Sequence, residues 1–277
     1  MSSQLNFFNL LNKSITQGGK RLKSIPYKNS KILFSIITVV YNNEKLLEET
    51  ILSVLNQKFK NFEYIIIDGG STDRTLEIIK KYDNQIDYWI SQQDKGIYDA
   101  FNKGMSLSRG EFIGIINSDD IYMPNALEII SKYIKKSNKN KIDFIFGSVK
   151  KHWGILHGYK PEKISYSWGF YSSHSTGFFL RRTSAKIIGL YDLRYKYHAD
   201  YDYFYRMIVK KKMKGISTKK DEITGIFRRG GFSSKIKYRK LLFEELRIRF
   251  NHGQNIILIL VLFVHKLITN FKKIIFS

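Results

Sequence analysis

Three stretches of this chain are short, nearly all apolar and rich in β-branched residues, and each stops abruptly in polar ones. Phe34-Ser35-Ile36-Ile37-Thr38-Val39-Val40 gives way to Tyr41-Asn42-Asn43. Tyr64-Ile65-Ile66-Ile67 gives way to Asp68-Gly69-Gly70-Ser71, and Phe112-Ile113-Gly114-Ile115-Ile116 to Asn117-Ser118-Asp119-Asp120. Unbroken apolar runs of this length mark strands buried on both faces, and such strands belong to parallel sheets. Between them the period changes. Leu47, Ile51, Val54 and Leu55 recur at helical spacing, as do Leu76, Ile79 and Tyr82. Asn43 stands where it can cap the first of these helices. Strand alternating with helix predicts an α/β fold, a doubly wound and mostly parallel sheet flanked by helices, with ligands bound beyond the carboxyl ends of the strands. Tyr88-Trp89-Ile90 is a further candidate strand, and residues 142–146 are another. A helix is expected from Ile97 to Ser108 with Gly110 ending it, and Pro124 opens the next near its first turn.

The chain has 277 residues, 43% of them hydrophobic, which supplies a core for one large domain. It has no cysteine, so disulfides and Cys-ligated zinc are excluded and a cytoplasmic setting fits. A net charge of +23 favours an anionic partner: nucleic acid, anionic lipid or a phosphate-bearing substrate. Lysines that merely solvate a surface produce the same number.

The first 30 residues carry no long apolar run and read as an N-terminal extension. Near the other end, residues 256–264 are all apolar, too few to span a bilayer, with Lys272 and Lys273 beyond them. A basic amphipathic helix around Tyr238 to Phe250 leads into that run. Residues 236–277 therefore read as a basic amphipathic and apolar helical extension that attaches to an anionic membrane surface, with a buried helix or dimer contact as the alternative. Residues 31–235 form the main domain. After Gly147 the aromatics Trp153, Tyr159, Tyr166, Trp168, Phe170 and Tyr171 suggest an acceptor-facing half.

The polar strand ends carry the chemistry. Adjacent carboxylates such as Asp119 and Asp120 repel unless a cation or hydrogen bonds stabilise them. Oxygen ligands alone suggest Mg²⁺ or Mn²⁺ bridging a diphosphate; an acidic helix start is the plainer account. Asp68 opens a turn whose glycines let backbone approach a ligand, or simply turn strand into helix. Tyr41 can stack on a nucleobase or be packed. Lys95 before a helix N-terminus can meet an anion or face solvent. Asp99 and Asn102 share a helix face expected to look towards the site, opposite a core stripe of Ile97, Phe101 and Met105.

Taken in order, Ser35 to Asn42, then Asp68-Gly69-Gly70-Ser71-Thr72-Asp73, then the run from Asp94 to Gly104, then Asn117-Ser118-Asp119-Asp120, resemble the family 2 glycosyltransferases of bacterial surface-polysaccharide synthesis. The likeness covers about residues 33 to 235. It implies a GT-A fold, a nucleotide-sugar donor, a divalent metal (Mn²⁺ or Mg²⁺) and inversion at the anomeric carbon. It places Thr38, Val39, Tyr41 and Asp68 in the nucleotide pocket and makes Asp119 and Asp120 the DxD-like site for ribose and metal-diphosphate. Two positions depart from the family pattern: Gly69 stands where a second acid is common, and Asn117 where an Asp is. Asn117 can still accept from a ribose hydroxyl. In His198-Ala199-Asp200-Tyr201-Asp202 the resemblance aligns Asp200 with the catalytic base, Asp202 being the fallback and helix capping the plainer role for both. His174 matches a position near the acceptor, or is a structural hydrogen-bonding group. Arg228 and Arg229 open a Gly-containing loop that can close over the diphosphate, or are solvated cations on a turn.

These readings imply sugar transfer to a lipid-linked or other saccharide acceptor, at the cytoplasmic face of the inner membrane if the tail attaches and in the cytoplasm if not. A nucleotidyltransferase would need a Gly-rich basic triphosphate loop, which Thr38 to Lys45 does not offer. A nucleic-acid binder is argued from charge alone; no recognised motif accompanies it, so no specific nucleic acid is expected. An inactive scaffold is opposed by Asp68, Asp119, Asp120 and Asp200.

Overall fold

The computed structural model describes residues 15–23, 31–137, 142–167, 170–173, 175–228 and 236–271. The predicted alternation is present. In chain order the main elements are β1 (Thr16–Gly18), β2 (Phe34–Val40), α1 (Leu47–Leu55), β3 (Phe62–Asp68), α2 (Thr75–Lys81), β4 (Tyr88–Ser91), α3 (Ile97–Leu107), β5 (Phe112–Asn117), β6 (Ile121–Tyr122) and α4 (Ala126–Lys136). They continue with β7 (Phe144–Phe146), β8 (Ser148–Lys151), β9 (Gly154–Leu156), β10 (Phe178–Arg181), α5 (Arg182–Ile188), α6 (Ala199–Tyr205), β11 (Gly215–Ser217), β12 (Ile223–Ile226), α7 (Tyr238–Asn251) and α8 (Ile256–Thr269).

Eight strands form one sheet in the order β1-β4-β3-β2-β5-β10-β7-β11, and β6-β12-β8-β9 form a smaller one. Strands β4, β3, β2 and β5 run parallel. β10 is antiparallel to both β5 and β7. Every residue of β2 is buried, as its unbroken apolar run requires. One face of the sheet packs Ile37, Val39, Ile65 and Ile67 against Tyr98, Phe101 and Met105 of α3. The other packs Ile36, Val40, Tyr64 and Ile66 against Leu47, Ile51 and Val54 of α1. The chain leaves β2 towards β3 on one side and returns to β5 on the other. This reversal opens a crevice between the ends of β2 and β5, the usual ligand position in such folds.

Part of the N-terminal extension belongs to the sheet. β1 pairs antiparallel with β4, and Arg21 forms an ion pair with the fully buried Glu63. The aromatic stretch after Gly147 also differs from expectation. Tyr159, Phe170 and Tyr171 pack against the rings of Phe144, Phe146 and Phe204, so they build core rather than present an acceptor surface. Trp153 and Tyr166 are exposed, and Trp168 lies outside the described residues. Asn43 does not cap α1. Its side-chain amide donates to the Ser118 carbonyl and hydroxyl, both at 3.0 Å, tying the loop after β2 to the one after β5.

Helix α7 lies against the segment that leads into α6. Glu244 accepts the backbone N–H groups of Lys196, Tyr197 and His198 at 2.9, 2.6 and 2.8 Å. Arg249, almost fully buried, pairs with Glu245 and lies over the Tyr201 ring. Lys266 of α8 reaches the same Glu245. No described helix is long and apolar enough to cross a membrane.

Candidate active site

The turn after β3 is a web of short-range hydrogen bonds. Asp68 has no exposed surface. Its carboxylate accepts from Ser71 N (3.1 and 3.3 Å), from the Ser71 hydroxyl, and from the Ser91 hydroxyl at 2.5 Å. The Ser71 hydroxyl accepts from Asn42 N at 2.8 Å, and Thr72 N donates to Asn42 Oδ1 at 2.8 Å. Asp73 accepts from Thr75 N and Glu44 N at 3.0 and 3.1 Å. Asn42 and Gly70 both have positive φ, 48° and 83°, which lets the two strand ends fold onto each other. Asp68 was expected to touch the donor; its enclosed carboxylate instead fixes the shape of this rim.

Thr38 and Val39 are likewise enclosed. Thr38 Oγ1 lies 2.9 Å from Tyr64 Oη inside the sheet, and Val39 packs in the core. Their side chains therefore define the strand rather than reach a ligand. Tyr41, one residue past the strand, is 62% exposed and offers a free ring face.

The structure divides the acidic pair. Asp120 is 1% exposed: Thr176 Oγ1 donates to its Oδ2 at 2.5 Å and Arg228 N to its Oδ1 at 3.0 Å. Burial, reinforced by the neighbouring Asp119 charge, pushes its carboxyl up to about 7. Asp119 is only half-buried, and its carboxylate has no hydrogen bond or ion pair with another described residue. Burial raises it above the usual carboxylate range, with the Arg228 charge opposing. Asn117 Nδ2 donates to Ser175 Oγ at 3.3 Å, while its Oδ1 is buried with no partner. Such an orphaned acceptor is costly unless a ligand hydroxyl fills it. Among the described residues no three acidic or His side chains gather into a metal cage. A single open carboxylate suits Mg²⁺ or Mn²⁺, whose shell is usually completed by substrate phosphates and water. Asp119 therefore fits such an ion. Asp120 is less open to one: it is 1% exposed, and its oxygens already accept from Thr176 and the Arg228 backbone.

Arg228 forms an ion pair with Glu49 on α1. Arg229 and His174 lie outside the described residues. Lys95 is exposed beside the start of α3, and its N–H donates to Asp99 Oδ2 at 3.0 Å. Asn102, expected to face the site, is buried and clasps the Tyr191 backbone through N–H and C=O at 2.8 and 2.9 Å. Lys151 was not singled out from the sequence. It sits half-buried over Phe227, near enough to Asp120 for their charges to interact, and burial lowers its ammonium. No sequence pattern marks it.

The two acids of α6 also separate. Asp202 is closed: Arg206 Nε and His252 Nε2 each lie 2.9 Å from one of its oxygens. Asp200, 7% exposed, accepts from Tyr98 Oη at 3.1 Å and from Tyr201 N at 2.9 Å. Tyr98 lies in the first turn of α3, so Asp200 is brought to the same end of the sheet as the strand-end residues.

Residues 35–189 match the family described as glycosyl transferase family 2. The chain belongs to that family. It is 33% identical over 191 residues to an uncharacterized glycosyltransferase of Methanocaldococcus jannaschii, covering 64% of this chain and 65% of that one. It is 27% identical over 241 residues to a PGL/p-HBAD biosynthesis glycosyltransferase of Mycobacterium bovis, covering 83% and 90%. Staphylococcus aureus TarS 1–349 in complex with UDP-GlcNAc superposes with a TM-score of 0.65 at 19% identity, over 79% of this chain and 66% of that one. The mannosyltransferase PcManGT of Pyrobaculum calidifontis, in complex with GDP-Man and Mn²⁺, gives 0.55 at 15% identity, over 82% and 66%. These likenesses establish the GT-A fold of this family 2 member. For several of its relatives the match spans less than two thirds of their length, down to 20%.

Proposed function

We propose that this chain transfers a sugar, with inversion, from a nucleotide-sugar to an acceptor hydroxyl. One observation carries the reading. At the crevice between β2 and β5 an open carboxylate, Asp119, and an orphaned acceptor, Asn117 Oδ1, stand together, and Asp200 is held at the same end of the sheet. Asn117 Oδ1 would accept a ribose hydroxyl, and Asp119 would hold the divalent ion. When bound, that ion would supply positive charge to the departing diphosphate. Asp200 takes the proton of the acceptor hydroxyl as its oxygen bonds to the anomeric carbon; the bond to the diphosphate oxygen breaks and its electrons leave with the nucleotide. Lys151 adds positive charge beside the acidic pair. Titrating nucleotide-sugars, UDP-GlcNAc and GDP-Man among them, with and without Mn²⁺ tests this. One donor is expected to bind and to bind more tightly with the metal; a folded protein that binds none would overturn it.

The acceptor we assign to a membrane. Helices α7 and α8 expose Phe243, Phe250, Ile257, Leu260, Val261 and Val264, alongside basic residues such as Arg247. An apolar face with cationic neighbours suits the surface of an anionic bilayer. Ile257→Asp with Val261→Asp should lower co-sedimentation with phosphatidylglycerol-containing vesicles by about tenfold or more, the loss expected for withdrawing two aliphatic side chains. Unchanged co-sedimentation would remove this face from the assignment.

A further inference from the structure

Gly69 stands where a second acid was expected, and the structure shows what takes its place. A Cβ built on Gly69 would lie 2.5 Å from Asp94 Oδ2. The carboxylate of Asp94 thus occupies the space that the missing side chain leaves, so the end of β3 regains a second carboxylate from a different loop. Asp94 Oδ1 accepts from Gly96 N at 2.8 Å. Oδ2 has no hydrogen-bond partner among the described residues, and the side chain is not fully buried.

The position of this oxygen relates to Tyr41. Val39 and Ile67 are register partners and point to the same face of the sheet. Continuing the alternation by two residues puts Tyr41 and the vacant side-chain position of Gly69 on that face too. Gly69 N donates to Val40 O at 2.9 Å, so the two strand ends are still side by side there. An exposed ring face and an unpartnered carboxylate oxygen therefore adjoin. Asn117 lies on β5, beyond β2 from β3, two inter-strand steps or about 10 Å away. A nucleoside has about that reach, ribose at one end and base edge at the other.

We propose that Asp94 selects the donor's base, accepting the ring N–H of a uracil or guanine stacked on Tyr41. This rests on the donor reading above and names the base class. A carboxylate only accepts. Uracil and guanine present a ring N–H beside a carbonyl; cytosine and adenine present a ring-nitrogen lone pair at the equivalent edge, which the carboxylate repels. Discrimination then comes from attraction to one class and repulsion of the other.

Calorimetric titration of UDP, GDP, CDP and ADP with Mn²⁺ decides it, on the unmodified chain, Asp94→Ala and Gly69→Ala. The unmodified protein should bind UDP or GDP at least about tenfold more tightly than CDP and ADP, the usual size of a charge-assisted hydrogen bond. Which of the two binds separates pyrimidine from purine. Asp94→Ala should bring the four affinities to within about twofold of one another while CDP affinity is kept. Gly69→Ala should move the same ratio the same way, because its methyl displaces the carboxylate. Gly69 has no positive φ, so the backbone tolerates that change. A preference for CDP or ADP, or an undiminished ratio in a folded Asp94→Ala, overturns the assignment alone. Binding of none of the four by a folded chain overturns the donor reading and this one with it.

Discussion

Asp200→Asn should lower sugar transfer by about 10²–10⁴-fold, the usual share of a general base, with donor affinity unchanged within about twofold. The amide preserves the hydrogen bonds from Tyr98 and the Tyr201 N–H while it can no longer take a proton. Turnover and nucleotide binding measured side by side check this. Equal loss in both would move Asp200 into the donor site. Asp202→Asn provides the contrast: its oxygens are held by Arg206 and His252, so the change should weaken folding stability and leave residual turnover well above that of Asp200→Asn.

The second large effect concerns metal. Asp119→Ala should remove the strengthening of donor binding by Mn²⁺ and depress transfer by about 10²–10³-fold, since the charge-neutralising ion is worth several kcal/mol at a departing diphosphate. A Mn²⁺ titration of donor affinity reads the first part without any acceptor. An intact Mn²⁺ dependence in Asp119→Ala would show that the ion is held elsewhere. Asp120→Ala should act differently, loosening the contacts to Thr176 and the Arg228 backbone.

The central sheet was legible because β2, β3 and β5 are buried on both faces and so read as unbroken apolar runs. β1 was not: Thr16-Gln17-Gly18 has no apolar pattern, and its place depends on an unpaired edge at β4. In the candidate site, Asp119 and Asp200 stand out from their neighbours in sequence, and the structure leaves Asp119 open and places Asp200 beside Tyr98. The closing of Asp202 was not legible there, because its partner His252 lies fifty residues on and arrives only when α7 packs against α6. Nor was the place of Asp94, whose carboxylate fills the space that a side chain at position 69 would take. Asp68 and Asp94 show the limit from both sides. Sequence marks an acid after a strand, whereas the surrounding donors decide whether its oxygens are taken up, as at Asp68, or one is left open, as at Asp94.

The grip of Glu244 on the backbone ahead of α6 divides the chain in a way the family boundaries do not. The matched region stops at residue 189, before Asp200, and the segment that holds Asp200 in place is splinted by a helix further along. A fragment trimmed after residue 235 would keep every strand of both sheets and still lose that splint. On the proposed roles, such a fragment should still take up a nucleotide and be poor at turning it over. If Asp200 is the base proposed above, the minimal active unit should extend through α7, and chimaeras that exchange acceptor preferences should carry α6 and α7 together.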